Sequence, residues 1–483
     1  METLRSKATK GLGWELIGSY GAQVSSFVIS IFLARLLSPE EFGLVGMSMV
    51  FLVVFEVFKN FGFSSALIQG KNISSLTYSS VFYVNILFGA FLTIIIYFIA
   101  PFVADFYKNQ QVLNVLRLLS VVFFLNSFNL VQSAILNKEF NFKVLTTRRL
   151  IAQIIGGVVA IVFAYYGFGV LALIIQQIVA SVISTFLLWK ISNWRPKLEF
   201  SFVEVKRLLN FSGYVFLSQL FSKIIREVET LIFGKIFSAA FLGFYTRAVS
   251  LNKLIYSQSV NSLSKVLFPT LSSVQDDPQR FNKIYLKLIG SVSLISLFLT
   301  GVFYLSGESL IIILFGEKWQ PSIALFKIII LKGFTLPISM IIVNTLLAKG
   351  FSKQVFIVGR LRDLFHVSII PIAFYYNVEL YLYASFVVSV FAWLINNLFV
   401  SKYIEISFKK QFNAVFPNLL FTSILIIIIS QLKELMNLNY ILVDFLSVMI
   451  FILLFILWLF LSKSIVLEEL RMLSSSLINR LKK

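Results

Sequence analysis

The chain has 483 residues, 58% of them hydrophobic and only 13% charged, with a mean hydropathy of +0.89, which excludes a soluble domain and indicates an integral membrane protein. Lys and Arg number 42 against 22 Asp and Glu, for a formal net charge of +20. The positive residues lie in short clusters between long apolar runs, the pattern of membrane loops, so nucleic acid is excluded as a partner.

Crossing a hydrocarbon core of about 30 Å takes roughly 20 apolar residues, and the apolar runs predict about fourteen crossings in an all-α polytopic protein. In chain order they cover 12–36, 43–66, 78–103, 113–136, 149–166, 168–189, 211–234, 242–269, 284–306, 322–348, 354–374, 380–401, 413–431 and 440–461. The seventh and eighth carry the most polar residues. The first run is long and lacks a small-residue cleavage site before the next, so it reads as a permanent helix rather than a signal peptide. Lys138, Lys143, Arg148 and Arg149, then Lys190, Arg195 and Lys197, then Lys402, Lys409 and Lys410 crowd one set of loops. The opposite set holds little beyond Lys108, Lys235, Lys318 and Lys433. Positive loops stay inside, which puts both termini in the cytoplasm.

No loop is long enough for an independent domain, and the GxxxxGK[ST] pattern of a P-loop is absent. Cysteine is also absent and His366 is the one histidine, which removes disulfides, Cys/His zinc sites and most nucleophilic triads. The chain is expected to be no enzyme and to need no cofactor, with any energy drawn from gradients or from the substrate.

A shift of 200 residues brings Gly13 onto Gly213, Arg35 onto Lys235, Ser38 onto Ser238 and Gly43 onto Gly243. At about 211, Lys138 meets Lys349, Phe140 meets Phe351, and Arg149-Leu150 meets Arg360-Leu361. Six spans separate the copies, so both enter with one polarity, as parallel repeats. The expected organisation is a first lobe over 1–208, a pseudo-symmetric second lobe over 209–404, and a C-terminal helix pair with a cytoplasmic tail over 405–483.

Charge is confined to particular helices. The first, second, seventh and eighth spans contain Glu15, Glu56, Lys59, Lys223, Arg226, Glu227, Glu229, Arg247, Lys253 and Lys265. A charge at the bilayer centre costs at least about 2.5–3.5 kcal/mol, so these helices are expected to line a wet cavity between the lobes. Lys223, Arg226, Glu227 and Thr230 share one helical face, where the spacing permits pairs Lys223–Glu227 and Arg226–Glu229. Arg117, Lys327, Lys332, Arg360 and Arg362 add to the cation excess, which favours an anionic cargo. Arg226 and Arg247 suit bidentate contact with a diphosphate, with Lys223, Lys253, Lys59 and Lys332 as supporting cations. Glu56, Glu227, Glu229 and Glu15 are the candidates for cavity pairing or for coupling to H⁺ or Na⁺. Prolines 269, 337 and 371 sit where a helix can bend.

The stretches Gly11 to Gly43, Asn60 to Gln69, Arg226 to Lys235 and Leu267-Phe268-Pro269-Thr270-Leu271-Ser272 resemble the Wzx-type polysaccharide flippases of the multidrug/oligosaccharidyl-lipid/polysaccharide exporter superfamily. The resemblance implies a MATE-like fold of two six-helix lobes plus two helices in a bacterial inner membrane. It implies a cargo of undecaprenyl-diphosphate-linked oligosaccharide, with membrane lipids and the polysaccharide polymerase and chain-length machinery as partners. Where that family often has Arg-Asn-x-Asp, this chain has Arg226-Glu227-Val228-Glu229. A lipid II flippase or a cation-coupled drug antiporter of the same superfamily are the alternatives. The cation excess speaks against a pump for cationic drugs.

Overall fold

Ser, Asp and Asn residues punctuate the apolar runs, and the chain folds as helices between them. Ser74, Ser201, Asp277 and Asn377 each accept a backbone N–H three residues on, and so start the fourth, ninth, eleventh and seventeenth helices. Ser38 and Glu41 make a reciprocal capping box: the Ser38 N–H donates to Glu41 Oε2 at 2.6 Å, and the Glu41 N–H donates to Ser38 Oγ at 3.4 Å. The computed structural model describes residues 4–60, 63–70, 73–436 and 438–461, with the side chains of 4–12, 15–17, 59–60, 209–215, 217–219 and 257–266 outside the description.

In order, the helices are α1 (Leu4–Leu36), α2 (Pro39–Asn60), α3 (Phe63–Gln69), α4 (Ser75–Tyr107), α5 (Gln111–Ser127), α6 (Leu130–Lys138), α7 (Phe142–Tyr165) and α8 (Val170–Ile191). There follow α9 (Phe202–Ile236), α10 (Ala239–Ser272), α11 (Pro278–Leu305), α12 (Gly307–Phe315), α13 (Ser322–Gly333) and α14 (Thr335–Ala348). The chain continues through α15 (Ser352–Ser368), α16 (Ile370–Tyr375), α17 (Val378–Ile404), α18 (Phe408–Leu435) and α19 (Tyr440–Leu461).

Among the described residues nine helical stretches are long and apolar enough to cross a membrane, or ten if α5 and α6, bent by 47°, form one crossing. Fourteen were expected. The remainder fall on α1, α9, α10 and the α15–α16 pair. Helices of 33 to 35 residues such as α1, α9 and α10 reach about 50 Å, but their polar content lowers their hydropathy. Pro371 opens α16 at the break after α15, Pro337 lies just past the break between α13 and α14, and Pro269 lies inside α10.

The outer faces confirm the solvent. On α4, Phe82, Leu92, Ile96 and Val103 are buried, while Phe98 and Phe102 are 68% and 74% exposed. An apolar face of that extent is stable only against lipid.

Packing divides the chain into two compact units, Met1–Thr246 and Arg247–Lys483, which part inside α10. In the first, α7 packs on α8 and α1, and α4 packs on α5. Here α9 packs on α2, α3 and α4, whereas the sequence duplication divides the chain at 208. The start of α9 is tied to the start of α4 by Thr77, which donates to Glu204 at 2.7 Å. In the second unit α11 packs on α13, α14, α18 and α19, around Phe281, Tyr285, Ile338 and Trp393.

The duplicated residues recur in duplicated jobs. Ser238 caps α10 through the Phe241 N–H at 3.1 Å, as Ser38 caps α2. Lys138 donates to the Gly70 carbonyl at 2.6 Å, and Lys349 donates to the Gln275 carbonyl. The two helix starts meet inside the first unit. A Cβ on Gly43 would lie 1.7 Å from the Ala239 carbonyl oxygen, and one on Gly243 would lie 1.9 Å from that of Pro39. The contact is reciprocal, backbone to backbone, and only glycine fits either position.

Candidate functional site

The polar face expected on the seventh span lies on α9, where its residues take different environments. Arg226 is exposed and Lys223 is half-buried. Neither makes an ion pair or a hydrogen bond among the described residues. The Lys223–Glu227 and Arg226–Glu229 pairs that the spacing permits do not form. The Glu229 carboxylate instead accepts the Tyr245 hydroxyl at 2.5 Å, from a phenol that is itself buried. Glu227 lies within electrostatic reach of Tyr107. Glu229 is thus engaged elsewhere, and the two cations keep their donors among the described residues. A charge-assisted hydrogen bond contributes about 1.5–3 kcal/mol, so Tyr245→Phe is expected to destabilise the first unit by about 2 kcal/mol, read as a lower thermal midpoint of the purified protein. An unchanged midpoint refutes it.

Glu56, itself exposed, lines an open pocket of about 190 Å³ between α2, α5 and α8. Asn126 and Gln177 share its wall with Leu52, Val122 and Phe123, and the Ser181 hydroxyl donates to Asn126 Oδ1 at 2.7 Å. A carboxylate and two amides thus line one small pocket within the first unit. Glu15 and Lys59 lie on α1 and α2, but their side chains fall outside the described residues, as does that of Lys265.

In the second unit Arg247 is 7% exposed, and its guanidinium stacks over the rings of Phe315 and Trp319 at 5.0 and 5.2 Å from their centroids. Of the two arginines expected to hold a diphosphate, one is therefore open and the other is packed among aromatics. Lys253, six residues on, is exposed and makes no ion pair among the described residues. Lys332 is half-buried and donates to Ser385 at 3.1 Å. Asp363 is bracketed by Arg360 at 3.6 Å and Arg362 at 3.1 Å.

Sequence reasoning missed a second charged cluster. Asp444 on α19 is 2% exposed, accepts the Ser309 N–H at 2.8 Å and pairs with Lys433. Its signal was available: it is the one charge in the last apolar run, and a lone intramembrane acid implies a partner. Among the described residues, no group of three or more His, Cys, Asp or Glu side chains is arranged to hold a metal ion.

Nine or ten candidate crossings among the described residues make this a multi-pass helical membrane protein. The family model described as "Polysaccharide biosynthesis protein" matches residues 32–324, and the chain belongs to that family. Lipopolysaccharide biosynthesis protein WzxC of Escherichia coli (strain K12) is 24% identical over 351 residues, covering 72% of this chain and 71% of that protein. Succinoglycan biosynthesis transport protein ExoT of Rhizobium meliloti (strain 1021) is 25% identical over 336 residues, covering 69% of this chain and 68% of that one. The fold matches the lipid II flippase MurJ in its inward closed conformation with a TM-score of 0.73 at 16% identity, over 91% of this chain and 97% of that one. It also matches an inward-facing MATE transporter of the MOP superfamily, with a TM-score of 0.61 at 14% identity over 80% and 96% of the two chains. The protein is a Wzx-like member of polysaccharide biosynthesis with a MOP-superfamily fold, and its relatives of known class are transporters rather than enzymes.

Proposed function

We propose that the protein is a flippase that moves undecaprenyl-diphosphate-linked oligosaccharide repeat units across the bacterial inner membrane by alternating access. The observation that carries this reading is the pair of cations Lys223 and Arg226 on α9, which no acid neutralises among the described residues. In a membrane-embedded helix such charges persist where an anion meets them, and a diphosphate is the anion that a guanidinium fork fits best. In the second unit Lys253 on α10 makes no ion pair among the described residues, and Lys332 and Arg247, with Lys59 of the first unit, are the further basic candidates. Cells lacking the protein are expected to accumulate the diphosphate-linked oligosaccharide in the cytoplasmic leaflet, and restoring the chain is expected to clear it. A deletion strain with normal periplasmic repeat units would refute the reading.

The same reading takes α1, α9, α10 and the α15–α16 pair as crossings. That gives fourteen spans, as two six-helix lobes over 1–208 and 209–404 and an added pair over 405–483, with both termini cytoplasmic. Because the chain has no cysteine, single cysteines at Lys138 and Lys318 report sidedness cleanly. An impermeant maleimide added to intact spheroplasts should label position 318 and spare 138; the reverse pattern overturns the orientation. Glu56 is the first candidate for coupling to H⁺ or Na⁺, with Glu15, Glu227 and Glu229 behind it, and transport that survives collapse of both gradients removes that role. The polysaccharide polymerase and chain-length machinery would take the product.

A further inference from the structure

A second cavity, of about 360 Å³, lies wholly within the second unit, where α11 and α18 end and α12 and α19 begin, with α13 at its side. Its polar wall is made by Tyr304, Glu308, Lys327, Lys433, Glu434 and Tyr440. In that wall Lys433 pairs with the buried Asp444 and reaches Glu308 at 3.6 Å. That leaves Lys327 and Glu434, which make no hydrogen bond or ion pair within 4 Å among the described residues. Lys327 lies in electrostatic reach of Glu308 and Glu434. The cavity therefore offers one uncommitted cation and, beside it, carboxylate oxygens with spare acceptor capacity.

Its surroundings are apolar. Leu435 is 81% exposed, and Leu438, Leu442 and Phe445 are each more than half exposed, so the rim stands against acyl chains. A polar cavity at helix ends, opening beside lipid-facing leucines, lies at the headgroup level of the bilayer. We infer that it binds the headgroup of a zwitterionic phospholipid bearing a primary ammonium, with the phosphate on Lys327 and the ammonium on Glu434 and Glu308. The charge pattern selects this headgroup. An anionic headgroup would meet Lys327 but would also face two carboxylates, and a purely cationic ligand would leave Lys327 without a partner. A quaternary ammonium has no N–H to donate to the carboxylates, so a choline headgroup would bind less well. The site is built from residues of the second unit alone and does not depend on the proposed cargo.

The test is native mass spectrometry of the full chain in detergent, titrated in parallel with phosphatidylethanolamine, phosphatidylglycerol, phosphatidylcholine and free phosphoethanolamine. Phosphatidylethanolamine is expected to bind most tightly. Lys327→Met and Glu434→Gln are each expected to weaken it about tenfold or more, the scale of one charge-assisted hydrogen bond, while leaving phosphatidylglycerol binding at Glu434→Gln unchanged or improved. Glu434 is exposed, so its variant tests the site even if the half-buried Lys327 variant folds poorly. Equal or tighter binding of phosphatidylglycerol, or binding of phosphatidylethanolamine indifferent to Glu434→Gln, overturns the proposal. Free phosphoethanolamine binding as tightly as the lipid overturns the lipid as the source of the headgroup.

Discussion

Removing both cations of α9, in the double variant Lys223→Ala/Arg226→Ala, is expected to cut export of repeat units about a hundredfold or more. Each charge-assisted contact to a phosphate is worth about 1.5–3 kcal/mol, and two of them lost together correspond to two orders of magnitude at least. The measurement is the ratio of periplasmic to total lipid-linked oligosaccharide in a deletion strain carrying the variant. Protein abundance serves as the internal control. Because neither cation is held by an acid among the described residues, their removal strands no buried partner, and the variant is expected to accumulate normally. Lys223→Arg keeps the charge and is expected to retain most export, whereas Arg226→Lys loses the planar fork and is expected to fall between wild type and the alanine variant. Wild-type export by the double alanine variant would remove the diphosphate from this helix.

A methyl group at either of the crossing glycines, Gly43→Ala or Gly243→Ala, is expected to destabilise the protein by about 3 kcal/mol or more. The added Cβ would sit 1.7 Å from the Ala239 carbonyl oxygen in the first case and 1.9 Å from that of Pro39 in the second. Both obstacles are backbone atoms, which cannot rotate aside as a side chain does, so the starts of α2 and α10 must separate. Gly46→Ala supplies the comparison. Its Cβ would meet the flexible ends of Leu242 and Thr246 at 3.5 and 3.6 Å, an ordinary packing distance, and its thermal midpoint is expected to stay close to wild type. A midpoint for Gly43→Ala equal to that of Gly46→Ala would show that the two helix starts do not touch as described.

These two results bear on different links of the same chain of causes. The glycines are read as a structural pair, and their loss acts on folding before it acts on transport. The lysine and arginine are read as a recognition pair, and their loss acts on transport alone. Abundance and export measured side by side therefore separate the two roles.

The amino-acid sequence by itself determined the solvent, the class of fold and much of the element order. Apolar runs of crossing length, the capping serines at 38 and 238, the matching glycines at 43 and 243 and the matching lysines at 138 and 349 are local signals, set by backbone chemistry within a few residues. The resemblance to Wzx-type flippases could be read from such stretches before any coordinates. The tertiary structure decided which charge meets which partner. The i, i+3 and i, i+4 spacings on α9 permit two ion pairs, yet Glu229 takes the Tyr245 hydroxyl sixteen residues away and leaves Arg226 uncommitted among the described residues. Arg247 is a candidate phosphate ligand in the sequence and a buried guanidinium stacked on Phe315 and Trp319 in the fold. Asp444 and Lys433, on successive helices, close together only when α18 and α19 fold back beside one another. Helical spacing fixes which side chains share a face, whereas the partner a charge takes depends on the groups that distant helices bring within hydrogen-bond distance, and no local pattern encodes those.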